Sequence, residues 1–485
     1  MSPAAAQDLD RVRSMLAEAD PDGELAPCLL RAVVIGPATL ERLGDVVEDL
    51  LPPDAGRRLV LLVDPVRLTR DGEDVKDLAE RVLAERFEVT RVVLDDGHPE
   101  LHVSEDVVAT ARRAAYGADV VVALGGGTIS DIGKTATVAE GDWSPVLVTV
   151  QTAASVDGYT DDVSVVLRDG VKRTVPSRWP DGLLADAGTV AEAPARMNRA
   201  GYGEMTSMLT APADWRLASL VGTEQRFHPA PIRLLETVGE GFADWAAGVR
   251  RGDAASVEQL TRALAVRGIV TGVAGTTATL SGMEHLVSHM CDLHHAEHGL
   301  PMGLHGAQVG VAAVVAAATW ELLLDRLAAA PSAPRLRADL LDEDAARARV
   351  FAAFGAMGGG QVAQECWRDY GAKLDVVRER REEVDALLAT WSDHEPELRA
   401  LVRPSAEIAA SLRDAGAAAT FADLDPVVGP ELARWAVSHC ALMRNRFTVV
   451  DLLTLLGWWT DADVQEVLER VAAVTDDQLV GGGGR

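Results

Sequence analysis

The chain has 485 residues, 48% hydrophobic and 25% charged, a globular profile long enough for two or three domains. Its 74 acidic residues against 46 basic ones give a formal net charge of −28, which repels nucleic acid and anionic membrane and argues against both as partners. Cys28, Cys291, Cys366 and Cys440 are scattered and form no Cys-x-x-Cys pair, so neither a disulfide framework nor a thiolate zinc site is expected.

Met1–Glu18 is polar and lacks the apolar run of a signal peptide, and residues 1–25 read as an N-terminal extension. No stretch is expected to approach the roughly 18 to 20 apolar residues of a membrane span. A cytoplasmic protein is the expectation. Over 26–190, short apolar runs alternate with amphipathic ones. Arg31–Ile35, Leu59–Val63, Arg91–Leu94, Val120–Leu124 and Val146–Val150 read as buried strands, and Ala38–Leu51 and Glu73–Phe87 as helices. This alternation predicts an α/β domain with a parallel sheet covered on both faces, whose ligands bind at the carboxyl ends of the strands. Over 191–475, Ala- and Leu-rich helical patterns dominate and strand signals nearly vanish, which predicts an all-α second domain. Pro331-Ser332-Ala333-Pro334 marks an exposed loop, and 476–485, with its four glycines, reads as a flexible tail.

Val120–Leu124 runs straight into Gly125-Gly126-Gly127-Thr128-Ile129-Ser130-Asp131-Ile132-Gly133-Lys134. A strand, a glycine turn and a helix let backbone approach a pyrophosphate, and the free amides at the helix start bind the anion. Gly133-Lys134-Thr135 mimics the end of a Walker A motif, but Thr128 stands where that motif needs glycine. The dinucleotide pattern Gly-x-Gly-x-x-Gly is not met either, and a ligand-free tight turn remains open. Asp64 ends the Leu59–Val63 run, where a carboxylate accepts bonds from an adenosine ribose and disfavours a 2′-phosphate. An ordinary strand-end aspartate fits as well.

His285 and His289 stand four apart, on one face of a helix, and His305 follows just before Gly306. Neutral imidazole is a common ligand of divalent metals. Leu286 and Val287 occupy the interior positions, so this is not the His-Glu-x-x-His of a metalloprotease. A carboxylate is the natural third ligand. His294, His295 and His298 form a competing cluster in a polar stretch that reads as a loop before Gly299-Leu300-Pro301.

Several segments together resemble the sn-glycerol-1-phosphate dehydrogenase family, within the iron-containing alcohol dehydrogenase and dehydroquinate synthase-like superfamily. They are Gly125-Gly126-Gly127 with Asp131 and Lys134, Thr152-Ala153-Ala154-Ser155-Val156-Asp157-Gly158-Tyr159, Ala200-Gly201-Tyr202-Gly203-Glu204, Ala213-Asp214-Trp215-Arg216-Leu217-Ala218, Ser281-Gly282-Met283-Glu284-His285, His305-Gly306-Ala307-Gln308-Val309-Gly310 and Arg444-Asn445-Arg446-Phe447-Thr448. The resemblance implies a Rossmann-like dinucleotide domain, then an all-α domain, in a dehydroquinate synthase-like fold with a metal in the cleft. It implies hydride transfer between NAD or NADP and a small ketone or alcohol, dihydroxyacetone phosphate in the named family. Position by position, it implies cofactor contacts from Gly125, Gly126, Gly127, Thr128, Asp131, Thr152 and Ser155. It implies a substrate contact at Asp157, a metal held by Glu204, His285 and His305, and substrate binding or proton relay at His289. One divalent metal is expected, zinc first, with nickel or iron also fitting.

This chain departs from the family pattern at three places: Glu204 replaces aspartate, Met208 replaces lysine, and Asp161 replaces a cofactor-contacting serine. Two other readings stay open: a dehydroquinate synthase-like lyase or cyclase that uses NAD transiently, and a non-catalytic nucleotide-binding homologue. The sequence is compatible with a homo-oligomer and does not specify one.

Overall fold

The computed structural model describes residues 9–98, 100–141, 143–168, 171–239 and 241–476, apart from the side chains at 168, 171 and 172. The tail expected at 476–485 therefore lies, except for Asp476, outside the described residues. The chain divides into two compact units, Met1–Tyr202 with Pro229–Gly275, and Gly203–His228 with Thr276–Arg485. This differs from a single break at 190. The helices of 229–275 pack with the sheet: Ala254–Ala274 lies against Pro229–Gly239, Ala187–Glu192 and the first strand. Amphipathic periodicity shows that a helix has an apolar face, not which neighbour covers it.

Among the described residues, ten strands run in chain order: β1 (Ala32–Gly36), β2 (Arg58–Val63), β3 (Thr69–Arg70), β4 (Glu73–Asp74), β5 (Glu88–Val93), β6 (Val120–Gly125), β7 (Val146–Gln151), β8 (Val163–Arg168), β9 (Val171–Pro176) and β10 (Gly182–Asp186). Six form one sheet in the order β1-β10-β7-β6-β2-β5, and every pairing in it is parallel. The expected strands are present, with β5 beginning earlier than the apolar run. β10 and the antiparallel β8–β9 hairpin are not among the strands expected from the sequence.

Alternation along the strands builds the two faces. Leu59, Leu61 and Val63 join Val120, Val122 and Leu124 in one core cluster. Val60 and Leu62 join Val121 and Ala123 in another. Successive side chains point to opposite faces, so a run buried on both sides must be apolar throughout. The helix Gly127–Ala136 covers β6 closely because Gly133 lacks a side chain; a Cβ there would stand 2.7 Å from that of Ala123.

The second unit is helical. Its central helix, His305–Ala329, is enclosed by Met283–Glu297, Ser405–Ala415, Val449–Leu456 and Asp461–Asp476. This helix corrects the expectation that no segment approaches a membrane span. An 18-residue window of this 25-residue helix reaches a mean hydropathy of 1.7, yet 89% of that window is buried inside the protein. Length and composition alone cannot separate a core helix from a span. Pro331, Ser332 and Ala333 are exposed in a loop, as expected. The four cysteines are free thiols.

Candidate functional site

Glu204 lies near the end of the helix Ala195–Met205, His285 in the first turns of Met283–Glu297, and His305 opens His305–Ala329. One ligand atom from each lies within 4.8 Å of the other two. His285 Nε2 is 3.4 Å from Glu204 Oε1, and His305 Nε2 is 3.8 Å from Glu204 Oε2. Both imidazoles thus turn Nε2 inward. Their Nδ1 atoms are held from outside: Glu284 Oε1 is 3.0 Å from that of His285, and Ser288 Oγ is 3.0 Å from that of His305. Ser288 donates to Gln308 Oε1 at 2.7 Å, and Gln308 Nε2 donates to Asp292 at 3.2 Å. Such outer partners fix the ring orientation and raise the basicity of a metal-binding histidine.

Burial alone would lower the pKa of His285, but hydrogen bonds and charges from Glu204 and Glu284 outweigh it and push it up to about 9. The pocket therefore attracts positive charge. Two imidazoles and one carboxylate converging from three helices is a donor set that fits one divalent metal with a position left for substrate. His289, one helical turn beyond His285, has its ring 5.7 Å from that of His305 and nearly parallel to it. His294 and His295 are helical, because Met283–Glu297 continues through them; the loop expected there is corrected. They do not join the three converging residues.

Asp214 anchors this corner from beneath. It accepts from the amides of Met283 at 2.8 Å and Val449 at 2.9 Å, and from Trp320 Nε1 at 3.1 Å. Burial, then repulsion from Glu284, pushes its pKa up to about 8. A Cβ at Gly282 would stand 2.6 Å from Asp214 Oδ2, so the turn into the His285 helix has no room for a side chain. Met208, where the family pattern has lysine, is buried in the short turn Thr206–Leu209.

In the first unit the glycine turn stands at the carboxyl end of β6. Gly125 and Gly127 are set by packing, since a Cβ on either would come within 2.7 Å of Ile129 or Val156. Gly126 is different. Its backbone is ordinary (φ −77, ψ −173), and the nearest atom to a Cβ there is 4.0 Å away. Its missing side chain leaves room that no neighbour fills. The helix Gly127–Ala136 has no side-chain cap, and its first backbone bond comes from Ser130 N to Gly126 O at 3.2 Å. The amides of the first turn thus face the same room, a cradle suited to an anion. Thr128 lies half-buried in that turn, while Thr152 and Ser155 lie in the buried stretch after β7; Thr152 N donates to Gly125 O at 3.2 Å.

Lys134 does not reach into the cradle. It is fully buried, 2.6 Å from Asp161 and 3.2 Å from Asp131, and also donates to the Val163 carbonyl. This disposes of the Walker A reading on geometric grounds. It also accounts for Asp161, whose carboxylate pairs with Lys134 within the fold. Asp131 is committed to Lys134 and, at 3.1 Å, to the Val165 amide. Asp64 holds Lys76 at 2.6 Å through its carboxylate, and Lys76 binds the Asp64 and Val66 carbonyls too. Asp157 is 3.1 Å from Nε of the buried Arg267. Sequence alone does not mark Lys76, Glu284, Ser288 or Gln308 as positioning groups. Arg267 had a signal: it is the lone charge in the apolar run Leu264–Ala274.

A family model described as iron-containing alcohol dehydrogenase matches residues 34–194. A glycerol-1-phosphate dehydrogenase (NAD(P)+) of Natronomonas pharaonis is 31% identical over 287 residues, 59% of this chain and 76% of the relative. The enzyme of that name from Bacillus velezensis is 29% identical over 304 residues, 62% of this chain and 75% of its own length. Among solved structures, a probable glycerol dehydrogenase from Sinorhizobium meliloti aligns over 93% of this chain and 98% of its own, with a TM-score of 0.54 at 15% identity. That likeness concerns the fold. The matching model places residues 34–194 in a class, the iron-containing alcohol dehydrogenases. Within it, the chain belongs to the glycerol-1-phosphate dehydrogenase family.

Proposed function

We propose that this enzyme is an NAD(P)-linked polyol-phosphate dehydrogenase that reduces dihydroxyacetone phosphate to sn-glycerol 1-phosphate, or acts on a closely related ketone. The observation that carries this reading is the convergence of Glu204, His285 and His305, with Nε2 inward and Nδ1 held by Glu284 and Ser288. The names of the relatives support the substrate and the cofactor.

In this reading Glu204, His285 and His305 hold one divalent metal. When bound, the metal supplies Lewis-acid polarisation of a carbonyl oxygen, and the nicotinamide supplies the hydride chemistry. Gly126 and the first-turn amides bind the pyrophosphate, with Gly125, Gly127, Thr128, Thr152 and Ser155 shaping that cradle. Asp131 acts one step removed, by fixing Lys134 and β8. Asp64 orients the adenosine end with its charge countered by Lys76. Asp157, held by Arg267, contacts substrate. His289 binds substrate or carries the proton that the product alcohol needs.

The test is turnover of NADH or NADPH with dihydroxyacetone phosphate, before and after chelation and after reloading with zinc, nickel or ferrous ion. Loss and recovery are expected. Undiminished turnover in verified metal-free protein would remove the metal from the reaction. Turnover with unphosphorylated ketones only would reassign the substrate. Net consumption of reduced nicotinamide also distinguishes this reaction from a cyclase that regenerates its NAD.

A further inference from the structure

We propose that Asp96, His98 and His102 form a further site for a divalent cation of the zinc class, on the loop that follows β5. The proposal is independent of the Glu204 cluster. One ligand atom from each of the three residues lies within 4.8 Å of the others. The chain folds around the Asp96 carboxylate: Oδ1 accepts from His98 N at 3.1 Å, and Oδ2 from His102 N at 3.0 Å. His102 Nδ1 is 2.8 Å from the same Oδ2. The rings of His98 and His102 meet edge-on, with centroids 5.2 Å apart.

Packing does not account for this arrangement. His98 is exposed, and Asp96 and His102 are half-buried, so none belongs to the core. An imidazolium–carboxylate pair accounts for Asp96 with His102, but not for the second imidazole brought to the same point. Two imidazoles and a carboxylate select zinc, cobalt or nickel over magnesium or calcium, which prefer all-oxygen shells. The two backbone amides fix the carboxylate as outer partners fix a metal ligand. Zinc stands about 2.0–2.2 Å from such donors, which puts neighbouring donors roughly 3.4 Å apart. Opening the Asp96–His102 contact from 2.8 Å to that spacing calls for a small turn of the half-buried His102 ring, with the Asp96 carboxylate left on its two backbone amides.

The location suggests what the ion does. β5 is an edge strand, separated from β6 by β2 alone. At a strand spacing of about 4.8 Å the loop starts roughly 10 Å to the side of the glycine turn, at the same carboxyl end of the sheet. A cation there ties the β5 loop beside the adenosine end of the cradle.

The test strips the full-length protein with chelator, reloads it with Zn2+, desalts it and measures zinc per chain. Wild type is expected to retain one equivalent more than the His98→Ala/His102→Ala variant. Both replaced residues lie outside the core, so the variant should fold. In a His285→Ala/His305→Ala background, Co2+ is expected to give a visible ligand-field spectrum that disappears when His98 and His102 are also replaced. Equal zinc content in wild type and His98→Ala/His102→Ala overturns the proposal, even if the second background fails to fold.

Discussion

Gly203 and Gly306 meet backbone to backbone: a Cβ on Gly203 would stand 2.3 Å from the Gly306 carbonyl oxygen and 3.4 Å from Gly310 Cα. Glu204 and His305 are the next-door residues of this contact, so the approach of the two helices sets the distance between two of the three converging side chains. Gly203→Ala must push the helices apart, because a carbonyl oxygen in a helix cannot swing away. Overpacking of this kind costs about 1–3 kcal/mol. We expect lower thermal stability together with a weaker hold on metal. A variant that loses stability but keeps full metal affinity would show that the glycine contact does not position Glu204.

Glu284 faces His285 and is fully buried, accepting from Thr210 Oγ1 at 3.1 Å and from the Gly282 amide at 2.6 Å as well. Glu284→Gln keeps the shape and removes the charge that orients the imidazole. Loss of an outer-shell partner typically lowers metal affinity roughly 10- to 100-fold. Competition against a chromophoric chelator measures this, with circular dichroism as the check on fold. Wild-type affinity in a folded Glu284→Gln protein would assign Glu284 a purely structural role.

The same residues show what the sequence makes legible. β2, β6 and β7 are readable because strands buried on both faces must be continuously apolar, and the Gly125–Gly127 turn follows one of them directly. His285 and His289 are readable by helical spacing. Glu204 is far away in sequence and is reached only through resemblance; no local pattern ties it to His285. β10 is only five residues long, and β8 and β9 are interrupted by Ser164, Lys172, Arg173 and Thr174, so neither gives a strong periodic signal. His294 and His295 look like loop residues by polarity, yet they extend a helix already nucleated and packed upstream. The division of the chain was not legible, since the apolar faces of 229–275 do not name their partners. Nor were Lys134 and Lys76 as buried ion-pair partners: each sits on an amphipathic helix where lysine ordinarily faces solvent.

The glycine turn offers a paired test of packing against ligand space. A Cβ at Gly133 would collide with that of Ala123 at 2.7 Å, whereas one at Gly126 meets nothing closer than 4.0 Å. Gly126 also has extended-type dihedrals that a β-branched residue adopts readily. Gly133→Ala should therefore lose about 1–3 kcal/mol of stability. Gly126→Val should cost no more than about 1 kcal/mol, for a poorer residue at the helix N-cap. Its nucleotide affinity should fall at least about tenfold, which corresponds to roughly 1.4 kcal/mol. Denaturant melts and titration with NADH and NADPH measure the two effects. Normal nucleotide binding by Gly126→Val would place the pyrophosphate elsewhere.

Acid stability should depend on Asp186, at the end of β10. Its Oδ1 accepts from Thr189 N at 2.9 Å and Thr189 Oγ1 at 3.1 Å, capping the helix Ala187–Glu192, while Oδ2 accepts from Thr39 N at 2.9 Å. Arg70 lies 3.1 Å away. Burial would raise its pKa, but the Thr189 amide, the Arg70 charge and the further bonds from Thr189 and Arg70 bring it below the ordinary carboxylate value. A folded pKa below the unfolded one gives stability that is complete above the unfolded value of about 3.9 and is lost as pH falls through the folded value. Asp186→Asn should thus cost about 2–4 kcal/mol at neutral pH, from the broken pair and weakened cap. The difference from wild type should shrink once the pH drops below about 3.9. Urea melts at neutral pH and at successively lower pH follow this; a difference that stays constant into the acid range would mean that the charge of Asp186 contributes nothing.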